Sequence, residues 1–171
     1  MNILETIGLT KLYGSGETQV RALDGIDLTV ERGEFVAVVG SSGSGKSTFL
    51  NMVGGLDVPT SGEVIVDQKR LRDLTDDELT VFRRRKIGFV FQQYNLIPML
   101  TVWENIILLL ADEPTVNLDS RTSQDVLGLL KITGRKFDQT VVMITHNEEI
   151  AQLADRIVRI EDGRLVKGGE S

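Results

Sequence analysis

The sequence predicts an α/β fold: a mostly parallel sheet flanked by helices and built around a phosphate-binding loop, with an antiparallel β subdomain on its N-terminal side. Three observations predict it. First, Gly40-Ser41-Ser42-Gly43-Ser44-Gly45-Lys46-Ser47 matches the pattern G-x-x-x-x-G-K-[ST], which chance supplies in fewer than roughly one in a hundred chains of this length. Second, this loop stands between Phe35-Val36-Ala37-Val38-Val39, an apolar run suited to a strand buried on both faces, and Thr48 to Val53, which reads as a helix. Third, short apolar runs alternate with helix-like stretches through the centre of the chain, the pattern of parallel strands joined by right-handed crossovers.

Taken in order, Asn2 to Leu9 reads as an edge strand, because Ile3, Ile7 and Leu9 share one alternating face that Leu4 interrupts. Tyr13 follows in a Gly-rich loop. Ile26, Leu28 and Val30 alternate with polar residues, and Glu31-Arg32-Gly33 turns the chain into the buried strand. Beyond the loop helix, Pro59-Thr60-Ser61-Gly62 is a turn cluster and Val64-Ile65-Val66 a short strand. Thr75-Asp76-Asp77-Glu78 is a capping box that opens a helix to about Arg85. Ile87 to Phe91 is a strand ending at Gln92-Gln93. Ser120 caps a helix to about Lys131, Thr140 to Thr145 is a buried strand ending at His146, and Asn147 caps a short helix to Leu153. Asp162-Gly163 then joins Ile157 to Ile160 and Arg164 to Val166 as a hairpin.

One junction breaks this order. Thr101-Val102-Trp103-Glu104 is a second capping box announcing a helix, yet Ile106 to Ala111 already reads as a buried strand. No turn separates them, whereas connections commonly take about two to six residues. A segment is therefore expected to be missing around Asn105.

At 171 residues, 41% apolar and 26% charged, the chain suits one globular domain spanning 1–171. No apolar run reaches membrane-spanning length and no signal-peptide pattern opens the chain, so a soluble intracellular protein without membrane insertion is expected. The absence of cysteine excludes disulfides and thiolate metal sites. A net charge of −6 argues against a nucleic-acid partner. Arg83-Arg84-Arg85-Lys86 follows Asp76-Asp77-Glu78 in the order that complements a helix dipole, so it reads as the end of a solvated helix.

The loop carries the chemistry. Its glycines let backbone amides turn around an anion, and the following helix presents its positive end to that anion. Lys46 would reach the β- and γ-phosphates of a nucleotide and Ser47 would ligate Mg²⁺, with Gly40 to Thr48 forming the binding segment. Asp112-Glu113 closes an apolar strand, so both carboxylates would emerge at the sheet edge where phosphates sit. Asp112 would hold Mg²⁺ through water, and Glu113 would orient or deprotonate the attacking water.

These residues resemble the ATP-binding cassette ATPases, built on a P-loop NTPase core. The resemblance runs through Gly40 to Ser47, Phe89-Val90-Phe91-Gln92-Gln93, Leu109-Leu110-Ala111-Asp112-Glu113-Pro114-Thr115, Asn117-Leu118-Asp119-Ser120 and Val142-Met143-Ile144-Thr145-His146. Arg83 to Ile97 and Thr101 to Asn105 look most like the branch serving lipoprotein-release, macrolide and antimicrobial-peptide export. The resemblance implies ATP and Mg²⁺ as ligands, Tyr13 stacked on adenine, Gln92 touching Mg²⁺ and the attacking water, and His146 at the γ-phosphate. Each has a plainer reading: Tyr13 as a surface aromatic, Gln92 as a polar strand end, His146 as an exposed or structural histidine. Asp119 is either a residue facing a second subunit or a helix cap. The resemblance also implies transmembrane permease subunits as partners, a homodimer sandwiching ATP, and a cytoplasmic place against the inner face of the membrane.

The chain departs from that family at one point. The helical subdomain between the glutamine loop and the Asp-Glu strand, with its Leu-Ser-Gly-Gly-Gln-type signature, is absent, and the cut falls at 105–106, where the turnless junction stands. Hydrolysis is expected to be weak or lost, and coupling to transport with it. Leu96, Ile97, Met99, Leu100, Val102 and Trp103 would lose their partners, giving a surface prone to non-native self-association. Against this stands a non-catalytic nucleotide-binding or minimal folding module. A GTPase would need an Asn-Lys-x-Asp motif, which the chain lacks.

Overall fold

A computed structural model describes residues 1–91 and 106–166. Gln92 and Gln93, the apolar residues from Leu96 to Trp103, the second capping box and Asn105 lie outside the described residues.

The N-terminal strands β1 (Asn2–Tyr13) and β2 (Val20–Glu31) pair antiparallel. With β4 (Ser61–Val66) and β5 (Lys69–Arg70) they form a sheet in the order β2-β1-β4-β5. β1 is thus not the expected edge strand: it is paired on both sides, and Ile3 and Leu4 are both buried. A register shift between Asn2 and Leu4 explains the interrupted alternation, because a bulge turns two successive side chains inward. β1 also absorbs the expected loop up to Tyr13.

The second sheet runs β10-β9-β3-β8-β7-β6. It contains β3 (Phe35–Val39), β6 (Ile87–Val90), β7 (Leu108–Asp112), β8 (Thr140–Ile144), β9 (Arg156–Glu161) and β10 (Arg164–Leu165). All neighbours are parallel except the β9–β10 hairpin. The apolar runs divide their side chains between two cores. Val36, Val38, Leu108, Leu110, Val142 and Ile144 face α1 (Lys46–Val53) and the N-terminal sheet. Phe35, Ala37, Leu109, Ala111, Val141 and Met143 face α3 (Ser120–Lys136) and α4 (Glu148–Ala151). Two-sided burial is what removes the polar alternation from these strands.

Helix boundaries follow their caps. α2 (Asp76–Lys86) opens on the complete Thr75–Glu78 capping box and ends in Arg83, Arg84, Arg85 and Lys86, as its charge order predicts. α3 is capped one residue earlier than expected, by Asp119, whose carboxylate accepts from Arg121 N and Thr122 N. It also runs past Lys131 to Lys136, because Gly134 is buried against Val141 instead of ending the helix.

Candidate phosphate-binding site

Parallel pairing sets the site. β3, β7 and β8 deliver the phosphate loop, Asp112-Glu113 and His146 to one edge of the sheet. The register aligns Val38, Ile144 and Asp112 at one level, so the three chain segments leave the sheet together.

The loop's shape demands glycine at two positions. Gly40 has φ 154° and a Cβ there would stand 2.1 Å from Ile160 O; Gly45 has φ 104° and its Cβ would stand 2.3 Å from Ala22 O. The β9–β10 turn is also pinned to the loop, since Gly163 N donates to Ser44 O at 2.9 Å while Asp24 N donates to Gly163 O at 2.9 Å. α2, α3 and α4 begin with side-chain caps, whereas α1 begins at Gly45 with none, leaving its first amides to an external anion. The Ser44 hydroxyl is buried with no hydrogen-bond partner among the described residues.

Lys46 is 7% exposed, and its ammonium bridges the loop by donating to Gly40 O at 2.9 Å and Ser41 O at 2.7 Å. Burial pushes this ammonium's pKa down, while Glu113 and Asp112 counteract it. Burial pushes the Asp112 carboxyl up, helped by Glu113's charge, against a hydrogen bond from Ser47 and the charge of Lys46. Ser47 and Asp112, both expected at Mg²⁺, therefore stand close to one another. No group of three His, Cys, Asp or Glu side chains suited to a metal exists among the described residues. That sparse donor set fits Mg²⁺ completed by phosphate oxygens and water better than a closed protein cage.

Glu113 adopts φ 46°, a left-handed conformation that costs about 1–3 kcal/mol for a residue with a side chain. Its amide donates to Ile144 O at 3.0 Å, which holds it there. Its Oε1 accepts from His146 N at 3.0 Å and lies 2.7 Å from His146 Nδ1. The structure thus brings Glu113 and His146 into contact. Gln92 lies outside the described residues.

A cleft of about 380 Å³ opens beside the loop, walled by Gly43, Gly45, Lys46, Ser47 and Thr48 together with Val20, Arg21, Ala22, Asp162 and Gly163. The second group carries no local sequence signal: Asp162-Gly163 reads only as a turn, and Val20 to Ala22 as the lead into a strand. Only the register reveals them. Val20 is paired with Tyr13, which stands at the rim, 40% exposed, its hydroxyl donating to Asp57 Oδ2 at 3.0 Å. Asp119 is resolved between its two readings only so far as its side chain caps α3.

Residues 23–169 match the family model described as ABC transporter. The chain is 37% identical to an uncharacterized ABC transporter ATP-binding protein, MJ0796, of Methanocaldococcus jannaschii, with 92% of each chain covered. It is 38% identical to the lipoprotein-releasing system ATP-binding protein LolD of Geobacter metallireducens, covering 96% of this chain and 98% of LolD. Against the macrolide export ATP-binding/permease protein MacB of Hyphomonas neptunium, identity is 34%; 96% of this chain matches, yet it spans only 34% of that protein. A dimeric structure of a post-hydrolysis state of MJ0796, bound to ADP and Pi, superimposes with a TM-score of 0.87 at 34% identity, covering 98% of both chains. The match to MJ0796 extends over 217 positions, more than the 171 residues of this chain, so part of the relative faces no residue here.

Proposed function

The chain belongs to the ABC transporter family, and from that premise we propose that it is the ATP-binding core of a transporter's ATPase, binding Mg-ATP but hydrolysing it weakly or not at all. The observation that carries this reading is the Lys46 ammonium lying across a loop whose backbone excludes any side chain at Gly40 and Gly45. With nucleotide bound, Lys46 exchanges its two carbonyl partners for phosphate oxygens, and Gly40 to Thr48 surround the phosphates. Tyr13 stacks on adenine at the rim. Ser47 and Asp112, with Gln92, would hold Mg²⁺, which would neutralise charge on the phosphates. Glu113 accepts a proton from water and His146 keeps its carboxylate aimed.

Weak turnover follows from the missing segment. The chain has no Leu-Ser-Gly-Gly-Gln-type stretch, and its turnless junction at 105–106 is where we place the deletion; a match to MJ0796 longer than this chain supports that reading. Without signature donors from a second subunit, developing γ-phosphate charge lacks part of its stabilisation. Permease partners, a homodimer and a position at the cytoplasmic face of a membrane belong to the same reading, by likeness to LolD and MacB; no helix among the described residues is long and apolar enough to cross a membrane.

Thermal unfolding with and without Mg-ATP, paired with phosphate release, tests this. The wild-type chain is expected to gain several degrees with Mg-ATP while releasing phosphate at or near background, and Lys46→Ala to lose the gain. Equal shifts in both chains would refute phosphate binding at this loop.

A further inference from the structure

Beyond the phosphate loop, one polar cluster sits where no motif predicts it. Lys11 and Tyr13 are two residues apart on β1 and share a face of the strand. The Lys11 ammonium donates to Asp57 Oδ1 at 2.8 Å and to Val58 O at 2.7 Å, and it lies 5.0 Å from the centre of the Tyr13 ring. Asp57 accepts the Tyr13 hydroxyl on its other oxygen. Val58 N closes the arrangement by donating to Asp57 Oδ1 at 2.7 Å. Thr48, in the first turn of α1, lies near the same phenol.

Resting on the function proposed above, we propose that Asp57, with Lys11, is the positioning residue for Tyr13, fixing its ring as a one-sided platform for the nucleotide base. The ammonium occupies one face of the ring, so a base can stack only on the opposite face. Anchoring the hydroxyl removes the ring's freedom to swing at an exposed strand end, so less ordering remains to be done when the base arrives. The tether Asp57 stands just beyond α1, with Thr48 of that helix near the phenol, which ties the platform to the helix that carries the loop. Lys11 holds the Asp57 carboxyl below the usual carboxylate range, so the clamp stays charged at neutral pH. Stacking reads no hydrogen-bond pattern, so the clamp sets how much the base adds to affinity and leaves the phosphate contacts alone.

The test compares the affinity of the whole chain for Mg-ATP and for Mg-tripolyphosphate, which has the phosphates and no base. Asp57→Ala and Tyr13→Phe are each expected to weaken ATP by about three- to tenfold, part of what losing a stacking ring costs, with tripolyphosphate within about twofold of wild type. Asp57→Asn, which can still accept from the phenol, should recover part of the ATP affinity. Parallel loss of both ligands, or unchanged ATP affinity in both variants, overturns the clamp. If Asp57→Ala does not fold, Tyr13→Phe decides alone, since it removes only the hydroxyl. A wild-type chain that binds tripolyphosphate as tightly as ATP overturns the platform and leaves the phosphate site standing. Binding of neither ligand overturns the proposed function and this inference together.

Discussion

Asp112 shows how a single residue in this site trades stability for chemistry. Burial, then the neighbouring Glu113, raise its carboxyl above the usual range, and the Ser47 hydroxyl and Lys46 oppose them. A carboxyl that keeps its proton to higher pH in the folded state stabilises the fold while protonated. That contribution is lost as pH rises from the ordinary aspartate range through the raised folded value. Asp112→Asn is therefore expected to melt a few degrees above wild type at neutral pH without nucleotide, and the gap should close as pH falls below the ordinary aspartate range. Thermal unfolding across a pH series measures it; a variant that melts lower at neutral pH would mean that its neighbours stabilise the anion. At this scale the sequence placed the loop motif and the Asp-Glu pair at strand ends, and that is where β3 and β7 end. It could not announce Asp57, Arg21 or Asp162, because nothing in their local pattern separates a clamp or a cleft wall from a turn.

Among the elements, the caps were the most legible signals. Thr75 and Asn147 open helices as their sequence contexts predict, since an oxygen that accepts from amides two or three residues ahead needs no tertiary information. Asn147 also matters to the site, because its side chain accepts from Glu149 N and Ile150 N directly after His146. Asn147→Ala is expected to cost about 1 kcal/mol, read by urea unfolding, with a larger relative effect on the His146 loop than on the fold. Strand pairing was less legible. β1 looked like an edge because its alternation is broken, but the break is a bulge, and only the partner strands reveal that. The end of α3 differs for a related reason: the local pattern carries the helix only to about Lys131, whereas Gly134 packs closely on β8 inside a helix that reaches Lys136.

For the whole molecule, both layers of the core are present although part of MJ0796 has no counterpart here. β6 and β7, which flank the junction, remain parallel neighbours, with Lys86 O accepting from Ile107 N at 3.0 Å. Inserting the unmatched block of MJ0796 between Asn105 and Ile106 is expected to raise phosphate release at least about tenfold, in proportion to donors regained at the γ-phosphate. Release that stays at background would locate the defect elsewhere. The strand that carries the loop has another consequence. β3 pairs only with β8 and β9, strands that lie more than a hundred residues further along the chain. During synthesis the Gly-Lys loop leaves the ribosome well before the strands that frame it, and before Ile160 and Gly163 that brace it. The motif therefore stays unframed until β8 and β9 have been made, and only then can the loop take the shape that Gly40 and Gly45 require.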